Sequence, residues 1–364
     1  MSRRHATILA SVLLLIGMLS AVAVVRIPYS ELSPGPTVNT LGEYGGEPVL
    51  SIDGRESFDT TGHLNMTTVR VTSADYRMTL GEALYGWLAD DAAVVPHDSL
   101  YPDGTTAEEA EEENAEEFSR SQESAKVAAL GELDIPVETR TVVQAVIKDG
   151  PAEGTLRAGD VIKTVDGTPV QAPADVAKLV TEHEPGEQVI FTVVPVKTAT
   201  AAEEAGEDPA EGATREVTVT TTAAEEDGRA LVGIQAGTAH TFPFDIDIQL
   251  ADVGGPSAGL MFALGIVDKL TPEDLTGGTF VAGTGTINGQ GEVGPIGGIT
   301  MKTRAAEEAG ARYFLTPAAN CATAAADRPG NLTLVKVGSM DDAMAALKDI
   351  REDTTDALPR CAAN

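Results

Sequence analysis

Basic residues are scarce in this sequence. Its 364 residues include 25 Lys and Arg against 56 Asp and Glu, a formal net charge of −31 at pH 7. Binding to nucleic acid needs a basic stripe that neutralises phosphates, so this composition argues against nucleic acid as a partner. The charge implies solubility and repulsion from anionic lipid. A chain of this length has room for two or three domains with proper cores.

Two common functional motifs are missing. The chain has no Gly-x-x-x-x-Gly-Lys-[Ser/Thr] loop, so we expect no ATP site. It has no His-Glu-x-x-His motif either, which removes the commonest zinc-hydrolase signature. Glutamates accumulate from Thr105 to Glu117, but nothing in their spacing would fix the geometry of a metal. We therefore expect neither a metal nor another cofactor.

One long apolar run lies near the N-terminus. Arg3 and Arg4 precede an uncharged stretch from Ala6 to Val25, which is long enough to span a bilayer as a helix. Positive charge before this stretch predicts that the N-terminus stays inside and the remainder lies outside. The alternative is a cleaved signal peptide, with Ala21 to Ala23 as the cleavage site. Both hypotheses export the rest of the chain.

Cysteine is also rare, with only Cys321 and Cys361 present. In an exported chain an even number of cysteines favours a disulfide, which here would tie the C-terminal tail to the preceding domain. Two free thiols are the alternative. Neither cysteine has a recognisable partner base, so we do not expect a thiol nucleophile.

A glycine-rich turn from Gly254 to Gly259 joins a predicted strand to a predicted helix. The alternating run Phe244 to Leu250 predicts a strand, and Leu260 to Val267 is apolar nearly all round, which is typical of a buried helix. Ser257 therefore lies where backbone N–H groups are unpaired and the helix dipole favours negative charge. An oxyanion beside this serine would find donors in place. The alternative is that Ser257 only caps the helix.

A second glycine-rich stretch, Gly294 to Gly298, leads into a helix predicted from Lys302 to Ala309. Lys302 then lies in the first turn, where a cation opposes the positive end of the dipole. That position lowers the pKa of an amine, as does burial. Because a neutral amine can serve as the general base for a serine, Ser257 and Lys302 are candidate catalytic residues.

These stretches together resemble the proteolytic domain of the Lon proteases, over roughly residues 225 to 350. The resemblance implies that Ser257 is the nucleophile, Lys302 its base and Thr284 a hydrogen-bond partner of the lysine. The supporting residues of the serine turn are Gly255, Pro256 and Ala258. Gly254 stands where the family usually has an aspartate, so no role of that aspartate is carried over. The alternative for Thr284 is a buried hydroxyl satisfied by the backbone alone.

A different pattern begins near Val137. Leu156 to Ile162 contains Leu-x-x-Gly-Asp-x-Ile and is followed by Asp166-Gly167, which resembles the signature of bacterial PDZ domains. PDZ domains bind a peptide, usually its C-terminus, as an added strand beside a helix. The resemblance implies that Val142 and Val143 lie on the peptide-binding strand and that residues 137 to 142 hold the carboxylate. A PDZ domain that only packs on its neighbour is the alternative.

The whole chain resembles the membrane-anchored, PDZ-containing Lon-like proteases of bacteria, which lack the ATPase. We expect a multidomain α+β fold with a transmembrane helix, a β-rich PDZ-like domain and a Lon-type α/β proteolytic domain. The expected boundaries are 1–30 for the anchor, 31–136 for an N-terminal extracytoplasmic α/β region without an assigned role, 137–222 for the PDZ domain, 223–352 for the proteolytic domain and 353–364 for the tail. A helix predicted from Leu80 to Leu88 would place Trp87 in a core.

The sequence thus predicts an ATP-independent serine endopeptidase that cleaves flexible or unfolded proteins outside the cytoplasm. It would be a single-pass protein of a bacterial cell membrane with its N-terminus in the cytoplasm, and the PDZ domain would select or position substrates. Lon domains form hexameric rings, so the resemblance also implies a homo-oligomer. Two rival hypotheses are an inactive PDZ-containing membrane scaffold and an enzyme whose base is His240, oriented by Asp252.

Overall fold

The computed structural model describes residues 3–102, 104–205, 207–225, 227–250, 253–327 and 330–363, without the side chains of Ala6 and Glu204. It divides into two compact units, the first formed by Met1–Pro136 with Phe244–Asn364 and the second by Val137–Pro243. In chain order the elements of the first unit up to the second are α1 (Arg3–Val24), β1 (Tyr29–Asn39), β2 (Glu43–Tyr44), β3 (Glu47–Pro48), β4 (Leu50–Asp53), β5 (His63–Val71), α2 (Leu80–Leu88), β6 (Ala93–Pro96) and α3 (Ala107–Glu132).

The second unit and the rest of the first unit follow. The second unit contains β7 (Glu138–Val146), β8 (Val161–Val165), β9 (Thr168–Pro169), α4 (Pro173–Thr181), β10 (Gln188–Val194), α5 (Val196–Glu204), β11 (Arg215–Thr220), β12 (Thr222–Ala223), β13 (Ala230–Leu231) and β14 (Ile234–Thr241). The first unit then resumes with β15 (Asp245–Ile248), α6 (Gly259–Leu270), β16 (Phe280–Gly283), β17 (Thr286–Ile287), β18 (Val293–Gly294), α7 (Ile299–Glu308), β19 (Tyr313–Pro317), α8 (Cys321–Ala326), β20 (Thr333–Val337) and α9 (Met340–Arg351).

A six-stranded sheet organises the first unit, in the order β20-β19-β16-β5-β1-β6. Strands β5, β16, β19 and β20 run parallel, and β1 pairs antiparallel with β5 and β6. The apolar sequence of α6 is almost wholly buried. Helix α3 packs on α6, where the rings of Phe118 and Phe262 meet edge to face at 5.8 Å between centroids.

The expected separation of residues 31–136 from a proteolytic domain at 223–352 does not match this sheet. Residues 31–136 supply β1, β5 and β6, and Leu64 of β5 lies opposite Val281 of β16. The physical reason is that β16 would otherwise end the parallel sheet with an unpaired edge, and buried backbone groups need partners. A pairing over such a separation leaves no local trace in the sequence.

The sheet of the second unit has the order β11-β10-β8-β7-β14, with β9 paired to β8. Its core consists mainly of β-branched residues from these strands. The tight turn at Asp166 and Gly167 has φ values of 50° and 75°, a conformation that glycine adopts without strain. The unit ends at Pro243 rather than 222, because β14 pairs with β7 along its whole length instead of opening the proteolytic region.

Two terminal features complete the first unit. Helix α1 is long and apolar enough to cross a membrane, a property that signal sequences share. Cys321 and Cys361 form a disulfide that joins the start of α8 to the C-terminal tail.

Trp87, which was expected in a core, is 51% exposed, because α2 packs on β6 through its small residues instead.

Candidate active site

Ser257 and Lys302 meet in the first unit. The Nζ atom of Lys302 lies 2.8 Å from the Oγ atom of Ser257. The glycine-rich turn carries the serine to the start of α6, whose N-cap is Ala258, and no side chain caps this helix. The hydroxyl of Ser257 is therefore engaged by the lysine, which disfavours the alternative in which it only caps the helix.

The lysine is held in a buried position by α7. This helix begins at Ile299, three residues before the predicted start, and its N-cap Gly298 has φ 65° and lies against Val69. Lys302 thus lies in the first turn of α7, and it is 3% exposed. Burial disfavours the charged form of the amine and lowers the pKa of Lys302 to about 7.

Two further contacts fix the orientation of the amine. Lys302 Nζ donates to the carbonyl oxygen of Thr67 on β5 at 2.8 Å and to Oγ1 of Thr284 at 3.2 Å. The hydroxyl of Thr284 in turn donates to the carbonyl oxygen of Ser257 at 3.0 Å. Thr284 therefore serves both the backbone and the lysine.

These contacts determine where the protons lie when the amine is neutral. The Thr67 carbonyl can only accept, and Thr284 has already used its proton on Ser257 O, so both must receive N–H groups from Lys302. A neutral amine has two hydrogens and one lone pair. The lone pair consequently faces Ser257 Oγ and can accept its proton.

The backbone around the serine is held by α3. Gly255 N–H donates to the carbonyl oxygen of Asn114 at 2.9 Å, and the carbonyl oxygen of Pro256 accepts from Ser121 Oγ at 2.9 Å. Gly255 supports the turn through its φ of 82°, and its N–H is not available to an oxyanion. In the described part of the chain the N–H groups of Ser257 and Ala258 have no acceptor.

Sequence reasoning missed Thr67, Asn114 and Ser121. Thr67 and Asn114 contribute backbone carbonyls, which every residue type carries, so no sequence pattern marks them. Ser121 contributes a side chain, but it lies 135 residues before its partner Pro256. Only the helix itself leaves a signal, a capping box in which Thr106 and Glu109 bond reciprocally.

The peptide-binding prediction for Val142 and Val143 is wrong. Their strand, β7, is paired on one side with β8 and on the other with β14, and Val143 is fully buried. Residues 138 to 142 are paired in the sheet too, so they form no carboxylate-binding loop. Strand β14 is instead the last strand of this sheet, and α4 packs beside it. A strand with an unpaired edge next to a helix is the arrangement that peptide addition requires.

The alternative in which His240 is the base assumed that this histidine belongs to the proteolytic domain. His240 lies on β14 opposite Thr139, in the second unit rather than in the unit that contains Ser257. Asp252 lies outside the described residues. Among the described residues there is also no group of three or more His, Cys, Asp or Glu that could hold a metal ion.

Two protein-family models match parts of the chain. Residues 117–206 match the PDZ domain family model, and residues 250–347 match the Lon protease (S16) C-terminal proteolytic domain. The archaeal Lon protease of Methanothermobacter thermautotrophicus is 40% identical over 81 residues, which are 21% of this chain and 12% of that protein. Lon protease 2 of Bacillus subtilis is 39% identical over 85 residues, which are 21% of this chain and 15% of that protein. The chain thus spans only a small part of these relatives.

One solved structure aligns with part of the chain. The PDZ domain of an SdrC-like protein from Listeria monocytogenes aligns at 20% identity with a TM-score of 0.21, covering 27% of this chain and 86% of that one. The match to the Lon domain contains Ser257, Thr284 and Lys302, whereas Thr67 and Ser121, which contact this site, lie outside that match. This chain therefore carries a PDZ domain together with a proteolytic domain of the Lon (S16) serine-peptidase family.

Proposed function

We propose that this chain is an ATP-independent serine endopeptidase in which Ser257 is the nucleophile and Lys302 the general base. The observation that carries the proposal is the 2.8 Å contact between Ser257 Oγ and a buried amine whose pKa is lowered to about 7. The neutral amine takes the hydroxyl proton while Oγ attacks the peptide carbonyl carbon. Lys302 then protonates the leaving amine, and water hydrolyses the acyl-enzyme by the same route.

The same turn supplies the electrostatic part of this mechanism. The N–H groups of Ser257 and Ala258 lie at the positive end of α6 and have no acceptor in the described residues. Donors in this position stabilise negative charge on the attacked oxygen. Ser121 and Asn114 contribute indirectly, because they hold the backbone that presents these donors.

The second unit would bring substrates to this site. In our proposal a flexible or unfolded protein adds its C-terminal segment, in the manner of other PDZ ligands, as a strand along β14 beside α4. His240 lies on this strand and acts in peptide docking at most, not as the base. Assembly into a homo-oligomer remains a prediction from the resemblance.

We also propose that α1 anchors the protein in a bacterial cell membrane, with its N-terminus in the cytoplasm and both units outside. The Cys321–Cys361 disulfide supports this placement, because disulfides persist in oxidising compartments. The length and apolar composition of α1 support the span.

Hydrolysis of an unfolded protein by the full chain tests the proposed chemistry. Ser257→Ala and Lys302→Arg should each reduce cleavage by several orders of magnitude. The alanine removes the nucleophile, and the guanidinium of the arginine does not deprotonate in this pH range, so it cannot act as the base. Ser119→Ala, which removes an exposed hydroxyl from α3, is the matched control and should retain full activity. Thermal unfolding checks that each variant is folded. A folded, active Ser257→Ala protein would exclude the mechanism, and an inactive folded wild type would favour the scaffold hypothesis.

A further inference from the structure

Helix α2 has its large apolar residues on the outside. Its inner side is made of small residues: Ala83 is fully buried, and a Cβ on Gly86 would come within 2.6 Å of the Val94 side chain on β6. The α2 outer face consists of Leu84, Tyr85, Trp87 and Leu88, which are 41%, 75%, 51% and 85% exposed. Helices on soluble domains normally bury their apolar stripe. Contiguous exposed apolar residues of this kind mark a surface that contacts a membrane or another protein.

The α2 outer face carries no charge. Glu82 is the one charged residue of this helix. Its carboxylate accepts the N–H of Thr79 at 2.6 Å and the hydroxyl of Tyr76 at 2.7 Å, so it is held at the N-terminal end of the helix. Covering the outer face with an apolar phase therefore requires no dehydration of an ion.

The position of α2 is fixed by the C-terminal end of α1. The N–H of Leu80 donates to the carbonyl oxygen of Val25 at 2.8 Å, directly after α1 ends. A Cβ on Gly81 would lie 3.1 Å from Val22, so the backbones of the two helices touch. Arg26 also forms a backbone bridge with Thr79. The first turn of α2 and the last turn of α1 therefore share one depth.

We propose that the α2 outer face lies in the interfacial zone of the lipid bilayer, in the leaflet from which the C-terminal end of α1 emerges. This inference rests on the membrane span proposed for α1 and is independent of the proteolytic chemistry. If α1 spans the bilayer, its last turn lies at the hydrocarbon boundary, and the Leu80–Val25 hydrogen bond places α2 at that boundary.

The composition of this face suits that depth. Trp and Tyr are enriched at membrane–water interfaces, and an interfacial helix buries its apolar face about 5–10 Å into the boundary between headgroups and acyl chains. Arg26 lies over the ring of Tyr76, at 5.4 Å from its centroid, and its guanidinium donates to the carbonyl oxygen of Arg77 at 2.6 Å, so this cation beside the helix is held by the protein itself. Apolar burial needs no anionic lipid, which matters for a chain with a net charge of −31.

The chain contains its own reporter for this inference, because Trp87 is its only tryptophan. The full-length protein is reconstituted into phosphatidylcholine vesicles whose acyl chains carry bromine either near the headgroup or near the methyl end. We expect shallow bromines to quench Trp87 fluorescence more than deep bromines, and acrylamide to quench it less in vesicles than in urea. Flotation of the vesicles measures insertion of α1 separately.

Serine substitutions provide the control. Leu84→Ser with Leu88→Ser should lose most of the lipid quenching while the protein still floats. Ile147→Ser, at a 56% exposed site in the second unit, should leave the quenching unchanged. Flotation without bromine quenching and with full acrylamide access overturns the inference but not the span. Acrylamide protection that depends on protein concentration, without bromine quenching, assigns the face to a second copy and also overturns it. Failure to float overturns both the span and this inference and leaves the peptidase proposal intact.

Discussion

At the scale of single residues, the protonation of Lys302 controls the proposed activity. Its burial lowers the pKa to about 7, and only the neutral amine can accept the proton of Ser257. We expect kcat/KM to rise with pH through about 7 and to level off above, because the protonated fraction disappears. The measurement is peptide hydrolysis across the pH range.

The histidine alternative is tested by the same pH profile. His240→Ala should leave the midpoint and the plateau unchanged, since His240 lies in the second unit. A profile that changes in His240→Ala and survives in Lys302→Arg would contradict the dyad.

Asp268 gives a residue-scale prediction for stability. It is 1% exposed on α6, its Oδ1 accepts Leu275 N–H at 2.8 Å, and its Oδ2 has no partner among the described residues. Burial raises its pKa from 3.8 to about 6. The folded state thus favours the protonated acid, and the stability from this group is lost as pH rises from about 4 through about 6.

Asp268→Asn should remove this pH dependence. We expect the variant to be more stable than the wild type by about 1 kcal/mol near about pH 7.5, because the gain from removing a buried charge is partly offset by unpaired amide N–H groups. Thermal unfolding in detergent at several pH values measures this. Asp356→Asn, at an exposed position, is the control. A variant less stable than wild type at neutral pH would show that the ionised carboxylate of Asp268 stabilises the folded protein.

Ser257 and Lys302 could be predicted as candidates because glycine-rich turns and helix starts depend on neighbouring residues, whereas Thr284 was expected only from the resemblance to the Lon family. Thr67 could not be predicted. Its contribution to the lysine is a carbonyl oxygen on a strand 235 residues away, which any residue type would provide. The sequence therefore suggests the proposed reacting groups but not the Thr67 carbonyl, one of the two contacts that orient the lysine beside Ser257.

At the scale of elements, α3 is the main surprise. The glutamate-rich sequence from Thr105 to Glu117 at its start is typical of a polar helix or a solvated loop. The structure has one helix, Ala107–Glu132, that buries Ala125, Ala128 and Ala129 on one face and touches the serine turn with Asn114 and Ser121. The acidic residues lie at its first turns, where they suit the positive end of the helix dipole.

Ser121 is a positioning residue, and Ser121→Ala tests this. Losing its hydrogen bond to the Pro256 carbonyl costs about 1 kcal/mol, which corresponds to a fall in kcat of roughly fivefold to tenfold if the turn is then misplaced. KM and the pH midpoint should stay the same. Ser119→Ala on the exposed side of α3 should change none of these values. A lower melting temperature with unchanged kcat would assign Ser121 a purely structural role.

The sequence of strand β14 explains why the peptide-binding strand was predicted at β7 instead. The sequence Ile234 to Thr241 contains Gly and Ala and alternates weakly, so it gave no strand signal. The apolar β7 looked like the binding strand, but an apolar strand such as this favours the middle of a sheet, where both edges are paired.

At the scale of the whole molecule, the second unit is a continuous insertion into the first. Its residues, 137–243, contribute no strand to the described six-stranded sheet that carries Thr67. Replacing them with a flexible linker should therefore leave cleavage of short peptides intact and change which protein substrates are cut. Parallel assays with short peptides and with an unfolded protein measure both effects.

The shortened chain with Ser257→Ala is the control for background proteolysis. Unchanged cleavage of every protein substrate would show that the second unit does not select substrates. Loss of short-peptide cleavage in a folded shortened chain would instead show that the second unit is needed for the chemistry.

The insertion also sets the order in which the molecule can assemble. The second unit is local in sequence and can fold as soon as residue 243 has been made, whereas β5 must wait for β16, a partner more than two hundred residues later. Such non-local pairing is slow to form, and domains generally fold as units while synthesis proceeds from the N-terminus. Thr67, Ser257 and Lys302 come together only when the C-terminal part of the sheet has arrived. If the proposed functions hold, a nascent chain has its folded second unit before it has an assembled catalytic site, so the topology delays proteolysis until synthesis is nearly complete.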